Sequence, residues 1–170
     1  GRVMFRNVRA RIPGFPRRVP CPVELEGGDQ EQMRHEFLSD FGREAPTPIS
    51  NAAKDPRMIW LRGFSRANEH ERMLVLGSSR AKVEAFAAVL GTKRKPVARF
   101  HEEMSSIERD RQAAWFLASD GPQVLISSSI GAIGRNFQVA RNLVLLDLPV
   151  TADRLEQRIG RVDRIGQGDE

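Results

Sequence analysis

The chain has 170 residues, 40% of them hydrophobic and 29% charged, enough for one core of ordinary size and one main domain. No apolar run approaches bilayer length, and the first residues alternate arginine with apolar side chains, so neither a membrane span nor a signal peptide is expected. A net charge of +5 and a pI near 10.3 point to a polyanionic partner, and the hydrophobic fraction fits a globular domain.

In chain order, 1–20 holds Arg2, Arg6, Arg9, Arg11, Arg17 and Arg18 with no acidic residue among them, and Pro13, Gly14, Pro16 and Pro20 make it an irregular lead-in. This arm is either a phosphate-contacting segment or a solvated linker. Residues 19–26 predict one short strand, confined to a sheet edge by Pro20 and Pro22. Cys21 is the sole cysteine, so no internal disulfide forms, and it reads as a small hydrophobe in a reducing compartment. The stretch from Gly27 to Pro56 predicts a polar connector with a short helix near 30–41. The domain proper is expected over 55–170, with 1–54 as the lead-in.

Asp55-Pro56 opens a helix to about Phe64, with Met58, Ile59, Trp60 and Leu61 as its apolar positions. Met73-Leu74-Val75-Leu76 reads as a buried strand, and Gly77-Ser78-Ser79 turns into a helix with Val83, Phe86, Ala87 and Leu90 on one face. Val97-Ala98-Arg99-Phe100 is the next strand. Ser105 with Glu108 forms a capping-box pattern, and Ile107, Ala113, Ala114, Trp115, Phe116 and Leu117 supply the core stripe of the helix that Gly121-Pro122 ends. Two more buried strands follow, 124–126 and 143–146, before Thr151 caps a last helix. Strand–helix alternation predicts an α/β fold with a parallel sheet, whose ligands bind beyond the carboxyl ends of the strands.

Three blocks carry chemistry. Gln157-Arg158-Ile159-Gly160-Arg161-Val162-Asp163-Arg164 sets Arg161 and Arg164 three residues apart, on one face if helical, and two guanidiniums there make a fork for phosphate oxygens. The bland alternative is a solvated basic helix end. Ser127-Ser128-Ser129-Ile130-Gly131-Ala132-Ile133-Gly134-Arg135-Asn136 follows a strand directly, where hydroxyls and freed amides suit phosphate, though a glycine pair is also an ordinary turn. His101-Glu102-Glu103 precedes a helix bearing Arg109; an acid–base site there is disfavoured because nothing in the sequence pairs with these residues. His35, His70 and His101 lie far apart, and no metal site is assigned.

Taken in order, these blocks and Ile165-Gly166-Gln167 resemble the second motor lobe of superfamily-two helicases, in the Swi/Snf-type branch. The lead-in Val3-Met4-Phe5-Arg6-Asn7, the run Ile107-Glu108-Arg109-Asp110-Arg111, the run Gly134-Arg135-Asn136-Phe137-Gln138 and the block from Asp147-Leu148-Pro149 to Gln167 resemble the bacterial RapA (HepA) family of RNA polymerase-associated ATPases. The resemblance implies a RecA-like three-layer fold with helices on both faces of a parallel sheet. It implies that Arg161 and Arg164 reach the phosphates of ATP, with Arg164 as arginine finger, and that Gln157, Gly134 and Asn136 lie near the nucleotide. Ser128 and Arg109 would touch the nucleic-acid backbone. Ser129 and Ile133 depart from glutamates common in that family, and Ser106 departs from the glutamine of many RNA helicases.

Neither Gly-x-x-x-x-Gly-Lys-Ser/Thr nor Asp-Glu-x-His occurs, so ATP with its Mg2+ is expected to be held mainly by a first lobe outside this chain, which alone is expected to be inactive. The chain is expected to stop just after the sixth motif of such a lobe. The implied partners are that first lobe, nucleic acid (DNA before RNA) and RNA polymerase, in a bacterial, nucleoid-associated cytoplasmic setting with no membrane. Two rivals stand beside this reading: a strand-separating RNA or DNA helicase, and a non-enzymatic module that binds polymerase or nucleic acid.

Overall fold

Successive residues of a strand face opposite sides of its sheet, and one short run here feeds both faces. Met73 and Val75 join one apolar cluster while Leu74 and Leu76 join another, all four fully buried. The computed structural model describes residues 18–40, 42, 43, 45, 48–128, 137–149, 151–160 and 162. Among these, β1 (Met73–Gly77), β2 (Val97–Phe100), β3 (Val124–Ser128) and β4 (Asn142–Leu145) form a sheet in the order β2-β3-β1-β4, every pairing parallel. The helices are α1 (Gln30–Asp40), α2 (Pro56–Ala67), α3 (Arg80–Leu90), α4 (Ser106–Leu117) and α5 (Ala152–Ile159), with a 3-10 turn at Ala52–Lys54. This is the parallel α/β sheet expected.

On one face Met58 and Leu61 of α2 and Val83, Phe86 and Ala87 of α3 cover Met73, Val75, Val124 and Ile126. On the other, Ala113 and Phe116 of α4 meet Leu74, Leu76, Ala98, Phe100 and Leu125. Phe137 completes that side, its ring edge-on to both Phe100 and Phe116 at 6.0 Å between centroids.

Helix ends are closed by side chains as the sequence proposes. Asp55 accepts from the Arg57 amide at 2.9 Å and Pro56 begins α2. Ser105 and Glu108 form the full capping box, whose hydrogen bonds hold the Glu108 carboxyl below its usual pKa. Arg72 donates to the carbonyls of Phe116 and Ala118 at the end of α4, a closure the sequence does not announce.

Several expectations need correction. Residues 19–26 form no strand: Pro20 and Pro22 lack the N–H a ladder needs, and Val19, Val23 and Leu25 stay exposed. Cys21 is exposed rather than a buried small hydrophobe. Ile107, Trp115 and Leu117 are not core residues of α4 but lie exposed, as does Ile59 of α2, because each helix turns only a narrow stripe to the sheet. Among the described residues no helix is long and apolar enough to cross a membrane.

Candidate functional site

Because all four strands run the same way, their carboxyl ends share one edge, and Ser78, His101, Ser128 and Asp147 lie at or just beyond it. The described part of that edge is dominated by ionised side chains. Arg57 pairs with Asp55 at 2.6 Å and Glu36 at 2.7 Å, and lies 3.7 Å from Asp147. Its guanidinium also sits 5.5 Å from the Phe86 ring centroid. Lys82, whose side chain is 1% exposed, meets Glu36 at 2.8 Å and also pairs with Asp147. Ser78 donates its amide to Asp147 at 2.6 Å and receives the Lys82 ammonium at 3.1 Å. Glu36 thus ties α1 to the edge.

Burial alone would raise the pKa of Glu36, but hydrogen bonds from Arg57 and Lys82, with the charge of Lys82, outweigh it and bring the carboxyl from 4.5 to about 2. Burial likewise acts to lower Arg57, and Asp55 and Glu36 overturn it, raising its pKa. A carboxylate with a depressed folded pKa contributes stability that is complete above its unfolded pKa and vanishes as pH falls through the folded one. Stability against urea is therefore expected to fall between pH 4.5 and about 2, and Glu36→Gln to flatten that part of the profile. A variant profile as steep as the native one would show that Glu36 does not contribute it.

The other half of the edge holds a second polar set. Ser128 is fully buried, and its hydroxyl donates to Glu102 at 2.5 Å. His101, 6% exposed, meets Glu84 at 2.9 Å, and Glu84 also takes Arg99 at 2.8 Å. Arg80 pairs with Glu103. The expectation that nothing pairs with His101, Glu102 and Glu103 is therefore corrected: each has a partner, and those partners come from α3 and β3. Their role is to brace the turn between β2 and α4. Just beyond that turn, Arg109 is half-buried in the first turn of α4, and its Nε has no hydrogen-bond partner among the described residues.

Gln157 lies exposed on α5, the helix entered from Asp147 through the Thr151 cap. Arg158 reaches back and donates to the Asp147 carbonyl at 2.6 Å. The structure thus brings Ser128, Arg109 and Gln157 to elements leaving one sheet edge. Gly134, Asn136, Arg161 and Arg164, with the departures Ser129 and Ile133, lie outside the described residues. The sequence reading missed Lys82, Glu36, Arg57 and Asp147. A signal for Lys82 was available: it stands four residues before Phe86, on the stripe that α3 turns inward.

The arginine donors proposed for phosphate have the right chemistry, since a guanidinium fork matches phosphate oxygens. Magnesium fits this edge less well. Asp55, Glu36 and Asp147 are already neutralised by Arg57 and Lys82, and among the described residues no group of three His, Cys, Asp or Glu is placed to hold a metal.

A wholly parallel sheet covered by helices on both faces, with its polar groups at the carboxyl edge, defines a RecA-like α/β lobe. The profile of the helicase conserved C-terminal domain matches residues 56–166, and the chain belongs to that family. It is similar to the RNA polymerase-associated protein RapA of Proteus mirabilis (strain HI4320), with 41% identity over 98% of this chain and 20% of that protein. It matches RapA of Klebsiella pneumoniae (strain 342) at 40% over 98% of this chain and 19% of that protein. The chain therefore spans about a fifth of the length of these relatives. In fold it is similar to the C-terminal part of the Fun30 ATPase domain, with a TM-score of 0.62, 17% identity, and coverage of 81% of this chain and 47% of that one.

Proposed function

We propose that the chain is the second motor lobe of an ATP-dependent nucleic-acid translocase of the RapA type. The observation that carries the reading is the 41% identity to RapA over nearly the whole chain. ATP supplies the phosphoryl-transfer chemistry, bound mainly by a first lobe together with Mg2+. Arg161 and Arg164 are the residues of this chain that neutralise charge building on the phosphates, with Arg164 as the finger. Gln157, Gly134 and Asn136 line the nucleotide side of the inter-lobe cleft.

Ser128 and Arg109 hold the nucleic-acid backbone. For Ser128 this requires the exposed Glu102 carboxylate to swing off its hydroxyl, so the track displaces an internal acceptor as it binds. The unpartnered Nε of Arg109 is a donor suited to a phosphate oxygen. Duplex DNA is the proposed track. RNA polymerase is the proposed partner, by similarity to proteins named for that association. The setting is the bacterial cytoplasm at the nucleoid.

The test is ATP turnover by the full-length protein with duplex DNA, with single-stranded RNA and with neither. Duplex DNA is expected to stimulate turnover, and its affinity to fall steeply with salt because phosphate contacts release counterions. Turnover indifferent to both nucleic acids would remove the nucleic-acid track, no turnover at all would leave the non-enzymatic binding module as the reading, and strand separation in an unwinding assay would replace translocation by unwinding.

A further inference from the structure

Helix α5 leads directly into Gly160 and Arg161, yet it carries no buried side chain. Leu155 and Ile159 are only half-buried, and Val162 beyond them rests on the second apolar cluster, so part of the helix's orientation falls to polar contacts and to the joint at which it leaves the sheet. Among the described residues, such contacts tie α5 to Arg18 and to the loop that follows β4. Arg18 meets Glu156 at 2.9 Å, but the Glu156 side chain is 62% exposed, so water screens that pair. Arg158 donates to the Asp147 carbonyl at 2.6 Å, a short bond to the bend two residues beyond β4.

Asp147 is itself held on several sides. The Ser78 amide donates to one carboxylate oxygen at 2.6 Å, the Lys82 ammonium takes the other, and Arg57 lies 3.7 Å away. Lys82 occupies a space built for it. Its aliphatic stem crosses Gly77 so closely that a Cβ there would lie 3.3 Å from the lysine Cδ. On its far side the same ammonium meets Glu36 of α1 at 2.8 Å.

We infer that Lys82 is a positioning residue for α5 and the arginines that follow it, acting through Asp147, and that Glu36 brings α1 under the same ammonium. The mechanical part stands on this geometry alone; its consequence for catalysis rests on the motor reading above.

The test is amide hydrogen exchange in the full-length protein. In Lys82→Met, amides of 151–160 are expected to exchange at least about tenfold faster while those of β1 and β3 keep their protection. Glu36→Gln leaves Arg57 with Asp55 and Lys82 with Asp147, so α1 is expected to exchange faster and α5 to stay within about twofold of native. Should Lys82→Met fail to fold, the isosteric Asp147→Asn carries the same expectation for α5. Unchanged α5 exchange, or uniform acceleration across the sheet, overturns the positioning role.

In the same preparations the kcat for ATP is expected to fall about tenfold in Lys82→Met, with KM within about twofold, since an interaction that matters at the transition state is lost. Looser α5 amides with native kcat would overturn the catalytic half. Looser α5 amides in a protein whose native form turns over no ATP would uphold the positioning and sink the motor reading instead.

Discussion

In the full-length protein, Arg164→Ala is expected to lower ATP turnover by about a thousandfold or more while ATP binding persists, a loss of roughly 4 kcal/mol of transition-state stabilisation. The size follows from where the charge appears. In the ground state the phosphates are already neutralised by the groups that bind ATP, so one guanidinium adds little to affinity. At the transition state negative charge moves onto the transferring group, and a preorganised planar donor there acts in a water-poor cleft. Lysine is a point charge on a flexible stem, so Arg164→Lys is expected to recover little of the loss. Single-turnover hydrolysis alongside an ATP-binding titration separates the two effects. Native turnover in Arg164→Ala would remove the finger from this position and leave Arg161 to be tried in its place.

The second large effect is on stability. Arg57→Ala is expected to cost about 3–5 kcal/mol, because it leaves the buried Asp55 carboxylate without its cation and Glu36 with Lys82 alone. Against a domain stability of roughly 5–15 kcal/mol, that is enough to unfold part of the population. The loss is one of pairing rather than of attraction as such. Arg57→Met combined with Asp55→Asn and Glu36→Gln is therefore expected to recover much of it, since no unpaired charge then remains. Arg18→Ala is the contrasting case: its pair with Glu156 is exposed, and it is expected to cost less than about 1 kcal/mol. Urea midpoints at pH 7 measure all three. Equal shifts in Arg57→Ala and Arg18→Ala would show that burial of the cluster confers no special dependence.

Much of the architecture was legible because its causes are local. The Asp55-Pro56 start of α2, the Ser105–Glu108 box and the Thr151 cap satisfy helix-end amides within a few residues, so the pattern and the structure are one fact. The strands at Met73 and Val124 were legible because a parallel strand covered on both faces is apolar throughout. Stripe width was not legible. Ile107 and Trp115 are apolar residues on an amphipathic helix, and only the packing of α4 on the sheet shows that Ala113 and Phe116 are the ones enclosed. The expected strand at 19–26 failed for a reason already in the sequence, its two prolines, which the apolar Val19, Val23 and Leu25 outweighed in the reading.

By itself, then, the sequence determined the elements, their alternation, the parallel sheet and the family, through capping, periodicity and motifs that act over a few residues. It also named the arginines on which the proposed chemistry depends. The tertiary structure decided which charges meet. Lys82 and Asp147 stand 65 residues apart, and Arg57 and Glu36 stand 21 apart. Neither pairing has a local signature, because each forms only when separate segments converge on one sheet edge. The same holds for Ser128, whose hydroxyl looks free in the sequence and is taken by Glu102 in the fold. Local rules identify what a residue is able to do; desolvation and convergence determine which partner it finds.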